Sequence, residues 1–217
     1  MGRQDVLIGT DVLAGTLGEP GIRVIEVDED TTLYEKGHIP GAVARNWRTE
    51  LHDPVRREFI GERELEALLA RSEVAEDTTV VLYGGNNNWF AAYAYWLLRY
   101  RGLDRVKLLN GGRKKWELES RELTTELPDL TPPERPAKLA GDRTELRALR
   151  EEVIEAVGSG AKTFVDVRSP EEFRGELLLP RTCRRSRPRS RATSRVPPTS
   201  PGARLPPRMG ASSPMRS

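Results

Sequence analysis

The chain of 217 residues holds one cysteine, Cys183, and two histidines, His38 and His52. Its inventory for nucleophilic or acid–base chemistry is therefore short. A lone thiol can act as a nucleophile, but an intramolecular disulfide is impossible and a cysteine-built metal site is not expected. His38 lies in Gly37-His38-Ile39-Pro40-Gly41-Ala42 and is a candidate general base. The flanking Pro and Gly favour the other role, a turn in which the imidazole caps local backbone groups. His52 sits in a charged stretch with no specific signal. Asp28–Asp30 has the count of a metal-binding cluster, although a solvated acidic loop is the default. Gly84-Gly85-Asn86-Asn87-Asn88 consists of residues that tolerate positive φ, and such a loop can present its amides to an anion. Arg168 is a candidate contact for an anionic substrate, with an ion pair to a neighbouring acid as the simpler expectation.

The elements that must position these residues are legible from pattern. Ile22–Val27 is a short β-branched run and predicts a strand, as do Thr79–Tyr83 and Arg105–Leu109. Glu62–Val74 carries Leu65, Leu68 and Leu69 at helical spacing, and Trp89–Arg101 predicts an aromatic, Ala-rich helix. A further helix is predicted over Arg113–Glu119. The loop 84–88 thus joins a strand to a helix. This alternation implies an α/β domain with a largely parallel sheet flanked by helices.

Residues 1–125 are assigned to this domain. The stretch 126–142, with four Pro, reads as a linker. Arg143–Val157 predicts an amphipathic helix with Leu146, Leu149, Val153, Ile154 and Val157 on one side, and Phe164–Val167 predicts another strand. Leu13–Leu17, then Val24–Val27, then an acidic loop with Tyr34 is matched by 143–157, Phe164–Val167 and an acidic loop with Phe173. A second copy of the domain therefore starts at 143 and is followed only to 180. Residues 1–180 contain all 33 acidic residues and a net charge of −8, whereas 181–217 hold ten Arg, seven Pro, seven Ser and no aromatic residue. That composition predicts a disordered tail.

Tyr34-Glu35-Lys36-Gly37-His38-Ile39-Pro40-Gly41-Ala42 resembles the aromatic-x3-His-x-Pro-Gly-Ala signature of rhodanese domains. Leu108-Leu109-Asn110-Gly111-Gly112 with Trp116 resembles the closing strand and turn of the same domain. Val80-Val81-Leu82-Tyr83, a loop and a helix resemble the strand–loop–helix that carries its active site. Two copies in tandem are similar to the two-domain thiosulfate sulfurtransferases (rhodaneses). The resemblance implies transfer of sulfane sulfur, from thiosulfate or a similar small-molecule donor to cyanide or a thiol, through a cysteine persulfide. No cofactor and no metal are implied. A low-pKa thiolate is needed, and a loop of N–H groups at a helix N-terminus supplies it. The nucleophile position of the first copy is Gly84, so that copy is expected to be inert, and the cysteine loop of the second is not seen. The chain as given is then inactive; the alternative is a non-catalytic rhodanese-like binding module. In this frame Arg168 is the substrate-binding candidate.

Cys183 and Arg189 give the Cys-x5-Arg spacing of cysteine phosphatases, but without that loop's preceding strand or following helix. The tail also reads as a shifted frame. Permitted codons for Arg191–Pro197, started at the third base, spell Gly-His-Ile-Pro-Gly-Ala, the string at 37–42. A frameshift near 177–180 that truncates the second domain is the hypothesis that follows. An arginine-rich tail can neutralise phosphates, but without aromatic residues nucleic-acid binding is not expected. No apolar run reaches the ~18 residues of a membrane span, no export signal is read at the N-terminus, and a cytoplasmic location is expected.

Overall fold

The computed structural model describes residues 2–53, 55–56, 58–160 and 162–176. The expected disordered tail, and Cys183 with it, lie outside the described residues. The described residues fall into two units, the first ending at Val165 and the second beginning at Asp166.

In the first unit, strands β1 Leu7–Ile8, β2 Ile22–Asp28, β3 Val43–Asn46, β4 Thr79–Tyr83 and β5 Val106–Leu109 form one sheet in the order β1-β5-β4-β2-β3. Every pairing is parallel. Parallel neighbours need crossovers, which are helical here. The helices are α1 Arg3–Val6, α2 Thr10–Thr16, α3 Thr32–Lys36, α4 Trp47–Glu50, α5 Glu62–Ala70, α6 Gly85–Tyr100, α7 Gly112–Leu118 and α8 Arg150–Ser159. The expected α/β class with a parallel, helix-flanked sheet is what the structure shows.

Strand side chains alternate between faces, so a sheet covered on both sides carries apolar residues on both. Ile25, Val27, Val80, Leu82 and Val106 enter one core with Leu65, Leu68 and Leu69 of α5 and Phe90, Ala94 and Leu97 of α6. Val24, Val81, Tyr83 and Leu109 enter the other with Leu13 of α2, Tyr34 of α3 and Trp116 of α7. None of the described helices is long and apolar enough to cross a membrane.

Two expectations beyond residue 140 are corrected. The helix expected over 143–157 starts at Arg150, preceded by a short 3-10 turn at Thr144–Leu146. Leu146 and Arg147 are drawn into contacts with the first domain, and the Glu152 side chain caps the backbone N–H of Leu149 at 2.7 Å. Phe164–Val167 forms no strand. Phe164, Val165 and Val167 are exposed, and no described strand pairs with them. A lone strand without a ladder partner does not persist.

In the second unit the described residues are few. Ser169 caps α9, Pro170–Phe173, by accepting from the Glu172 N–H at 3.2 Å.

Candidate functional site

Consecutive connections run from β2 to β3 in one direction across the sheet and from β4 to β5 in the other. The carboxyl ends of β2 and β4 therefore flank a topological switch point, where ligands of open α/β sheets bind. Asp28 ends β2 there, and Gly84–Asn88 follows β4.

The loop owes its shape to its asparagines. Asn86, Asn87 and Asn88 all have left-handed φ/ψ, a conformation Asn visits more readily than other chiral residues, and the right-handed helix starts after them. The Asn88 side chain closes the loop from inside. Its Oδ1 accepts the Gly84 N–H at 3.0 Å, and its Nδ2 donates to the Leu109 carbonyl at 2.7 Å.

Gly84 occupies the position where the resemblance places a nucleophile. Its φ is extended, so conformation alone does not demand glycine. Space does: a Cβ there would run into the Val27 carbonyl of β2, and it would also meet the Asp28 carboxylate at 3.4 Å. Among Gly84–Asn88 there is no thiol or hydroxyl, so the loop as it stands can do no nucleophilic chemistry.

Asp28 corrects the expectation of a solvated acidic loop at 28–30. It is 4% exposed and its Oδ2 accepts the Gly85 N–H at 2.7 Å. Burial pushes its carboxyl up to about 6; the Gly85 N–H opposes this, while the nearby Glu26 charge adds to it. No cluster of acids, histidines and cysteines able to hold a metal occurs among the described residues.

Below this edge lies a buried polar network that no local sequence motif marks. Glu26, 2% exposed, receives Arg113 Nη1 at 2.9 Å on both carboxylate oxygens. Arg113 also donates to the Leu33 carbonyl at 3.2 Å, to the Gly37 carbonyl, and through Nε to Glu117 at 2.8 Å. The Tyr83 hydroxyl shares Glu26 and accepts the Ile39 N–H at 3.2 Å. Burial raises the Glu26 carboxyl despite Tyr83 and Arg113, and it raises Tyr83 well above a free phenol. A charged residue inside the β-branched run 22–27 was the available signal, since such a residue needs a buried partner.

The same network explains the 37–42 turn. His38 is fully buried and its ring stacks on Tyr34 at 3.7 Å. Nδ1 lies 2.9 Å from the Tyr34 carbonyl and Nε2 3.1 Å from the Glu126 carbonyl. The Tyr34 hydroxyl donates to the Ala42 carbonyl at 2.7 Å. Both imidazole nitrogens face backbone, as expected for a capping His, and neither is placed for proton transfer. His52 likewise holds the Trp47 carbonyl through Nδ1 at 2.9 Å. Arg168, in the second unit, pairs with Asp166 at 2.6 Å and lies over the Phe173 ring at 5.5 Å.

A parallel five-stranded sheet, a strand–loop–helix at its switch point and a His-Ile-Pro-Gly-Ala turn with its His38, Ile39 and Ala42 buried define a rhodanese-like domain. The sequence matches the rhodanese-like domain family over residues 10–119. It is 51% identical over 180 residues to a Saccharopolyspora erythraea protein named "Putative thiosulfate sulfurtransferase", covering 83% of this chain and 63% of the relative. It is 49% identical over 176 residues to the "Sulfur carrier protein TtuD" of Thermus thermophilus, covering 80% of this chain and 61% of that protein. Among solved structures, Escherichia coli SseA, a 3-mercaptopyruvate sulfotransferase, superposes with a TM-score of 0.67 at 24% identity, covering 79% of this chain and 68% of that one. The chain belongs to the rhodanese-like domain family. It spans less than two thirds of the length of these curated relatives.

Proposed function

We propose that this chain derives from a two-domain thiosulfate sulfurtransferase and that its first domain is the inert copy. In the reaction proposed for the intact architecture, a cysteine thiolate attacks the outer sulfur of thiosulfate. The S–S bond breaks, sulfite leaves with its electron pair, and the cysteine becomes a persulfide. Cyanide or a thiol then takes the sulfane sulfur and regenerates the thiolate. The observation that carries the assignment of the first copy is the fit at Gly84, where the Val27 carbonyl fills the space a nucleophilic side chain would need. Asp28 adds a carboxyl where an anionic donor would have to approach.

The frameshift near 177–180 is part of this proposal. In its support, the similarity to the relatives runs over 180 residues of the 217. Purified chain should show no saturable thiosulfate:cyanide turnover. A one-nucleotide correction near codon 178 should bring activity, which Cys→Ser in the restored loop abolishes. Saturable turnover by the uncorrected chain that is lost on Cys183→Ser would overturn the proposal.

A further inference from the structure

Four prolines make 126–142 look like a linker, yet its second half is knitted to the first domain. Pro136 bridges Ala75 in antiparallel fashion, the Glu76 N–H donates to the Arg135 carbonyl at 3.2 Å, and the Ala137 N–H donates to the Val74 carbonyl at 3.0 Å. Ala137 is fully buried and Leu139 nearly so, both in the core that holds α5 and α6. The Leu139 N–H donates to the Glu66 carboxylate of α5 at 3.1 Å. Gly102, just after α6, has φ +85°, and a Cβ there would strike the Ala140 Cβ at 2.9 Å and crowd the Ala140 N–H and the Gly141 carbonyl at 3.0 Å.

The path then runs along α6. Asp142 receives the Tyr100 hydroxyl at 2.9 Å and Arg101 at 2.7 Å. The Arg143 N–H donates to the Tyr100 carbonyl at 2.7 Å, and its guanidinium grips both Asp104 oxygens at 2.8 and 2.9 Å. Trp96 Nε1 donates to the Leu146 carbonyl at 2.9 Å. Arg147 ends the run, paired with Glu58 at 2.9 Å and lying 4.6 Å above the Phe59 ring, whose other guanidinium neighbour is Arg101 at 4.8 Å.

We propose that residues 135–147 are a latch of the first domain, completing the core over α5 and α6 and clipping onto Glu58, Phe59, Trp96 and Asp104, so that the domain extends past residue 125 to the start of α8. Exposed ion pairs each contribute little. The weight therefore falls on Ala137, Leu139 and the three main-chain bonds, with the arginines fixing register.

Hydrogen exchange on the full chain tests the core-completing half. The Ala137 and Arg143 amides should exchange more than ~100-fold slower than in an unstructured peptide, because they open only with α5 and α6. Exchange at the unstructured rate while α5 and α6 remain protected would overturn the proposal. Limited trypsin digestion tests the clip. Arg147→Ala and Glu58→Ala should each speed cleavage after Arg143 about tenfold and leave cleavage within α5 and α6 unchanged. Unaltered cleavage after Arg143 in both variants would refute the clip. Neither result depends on whether the chain transfers sulfur.

Discussion

Asp28→Asn separates the contribution of charge at the switch point from that of shape. The Asp28 carboxyl is held at about 6 against an ordinary 3.8. A folded-state pKa raised above the unfolded one means that the folded chain binds the extra proton more tightly. The charged form is thus a penalty, fully present above pH 6, relieved as pH falls from 6 to 3.8, and absent below. At about 1.4 kcal/mol per pKa unit the penalty is on the order of 3 kcal/mol. Asparagine keeps an Oδ1 acceptor for the Gly85 N–H and removes the charge. The attraction between Asp28 and Arg113, which opposes the shift, is already contained in that figure; burying the asparagine amide in place of the carboxylate keeps a desolvation cost of its own, so the gain is at most that figure. In urea titrations at pH 8, Asp28→Asn should raise the unfolding free energy by 1–3 kcal/mol (roughly, from the same linkage). At pH 4 it should raise it by little or nothing. Destabilisation at pH 8, or an equal gain at both pH values, would refute the account of Asp28 as a buried, unwanted charge.

Arg113→Met should cost about 3–5 kcal/mol, because it strands the buried Glu26 carboxylate, and Arg113→Met combined with Glu26→Met should recover much of that loss in the same titration. Recovery that fails would place the weight on the Gly37 and Leu33 carbonyls instead. Gly84→Cys should lower stability by about 1–3 kcal/mol through crowding against Val27 and should not create thiosulfate:cyanide turnover; a stable variant with turnover would show that the loop is merely missing its thiol.

What the sequence revealed, and what it hid, follows from how locally each feature is determined. Strands β2 and β4 are legible because each is rich in β-branched residues between turn residues, and β5 because Val106-Lys107-Leu108-Leu109 is a short, mostly apolar run closed by Asn110-Gly111-Gly112. The loop at 84–88 was legible because three consecutive Asn tolerate a left-handed turn that few other residues would. Strand β3 was not. Val43–Asn46 is extended only because it pairs in register with Ile25–Asp28, and nothing in Val-Ala-Arg-Asn states a strand. The two-residue β1 exists likewise through Leu108 and Leu109. The Pro and Gly around His38 point to a capping turn, but the link of its ring to the Glu126 carbonyl depends on a chain segment 88 residues away. Asp28 looks solvated in the sequence for a related reason. Three acids in a row look solvated until β2 proves to extend through the first of them.

Two matching stretches of the sequence carry the same lesson at larger scale. The repeat read in the sequence aligns Val24-Ile25-Glu26-Val27 with Phe164-Val165-Asp166-Val167. At the first string Glu26 can be buried because Arg113, 87 residues further on, returns to it from α7, and the strand can form because β3 and β4 lie on either side. Around the second string the described residues offer no flanking strand. Phe164, Val165 and Val167 are exposed, and Asp166 takes the nearest cation, Arg168, two residues away. That short-range pair holds the Asp166 carboxyl down to about 2, chiefly through the Arg168 side chain, whereas burial drives Glu26 upward. One local pattern thus yields a core strand with a buried acid in the first case and an open segment with a solvated ion pair in the second. Propensity nominates a strand, but the long-range partners decide whether it is one.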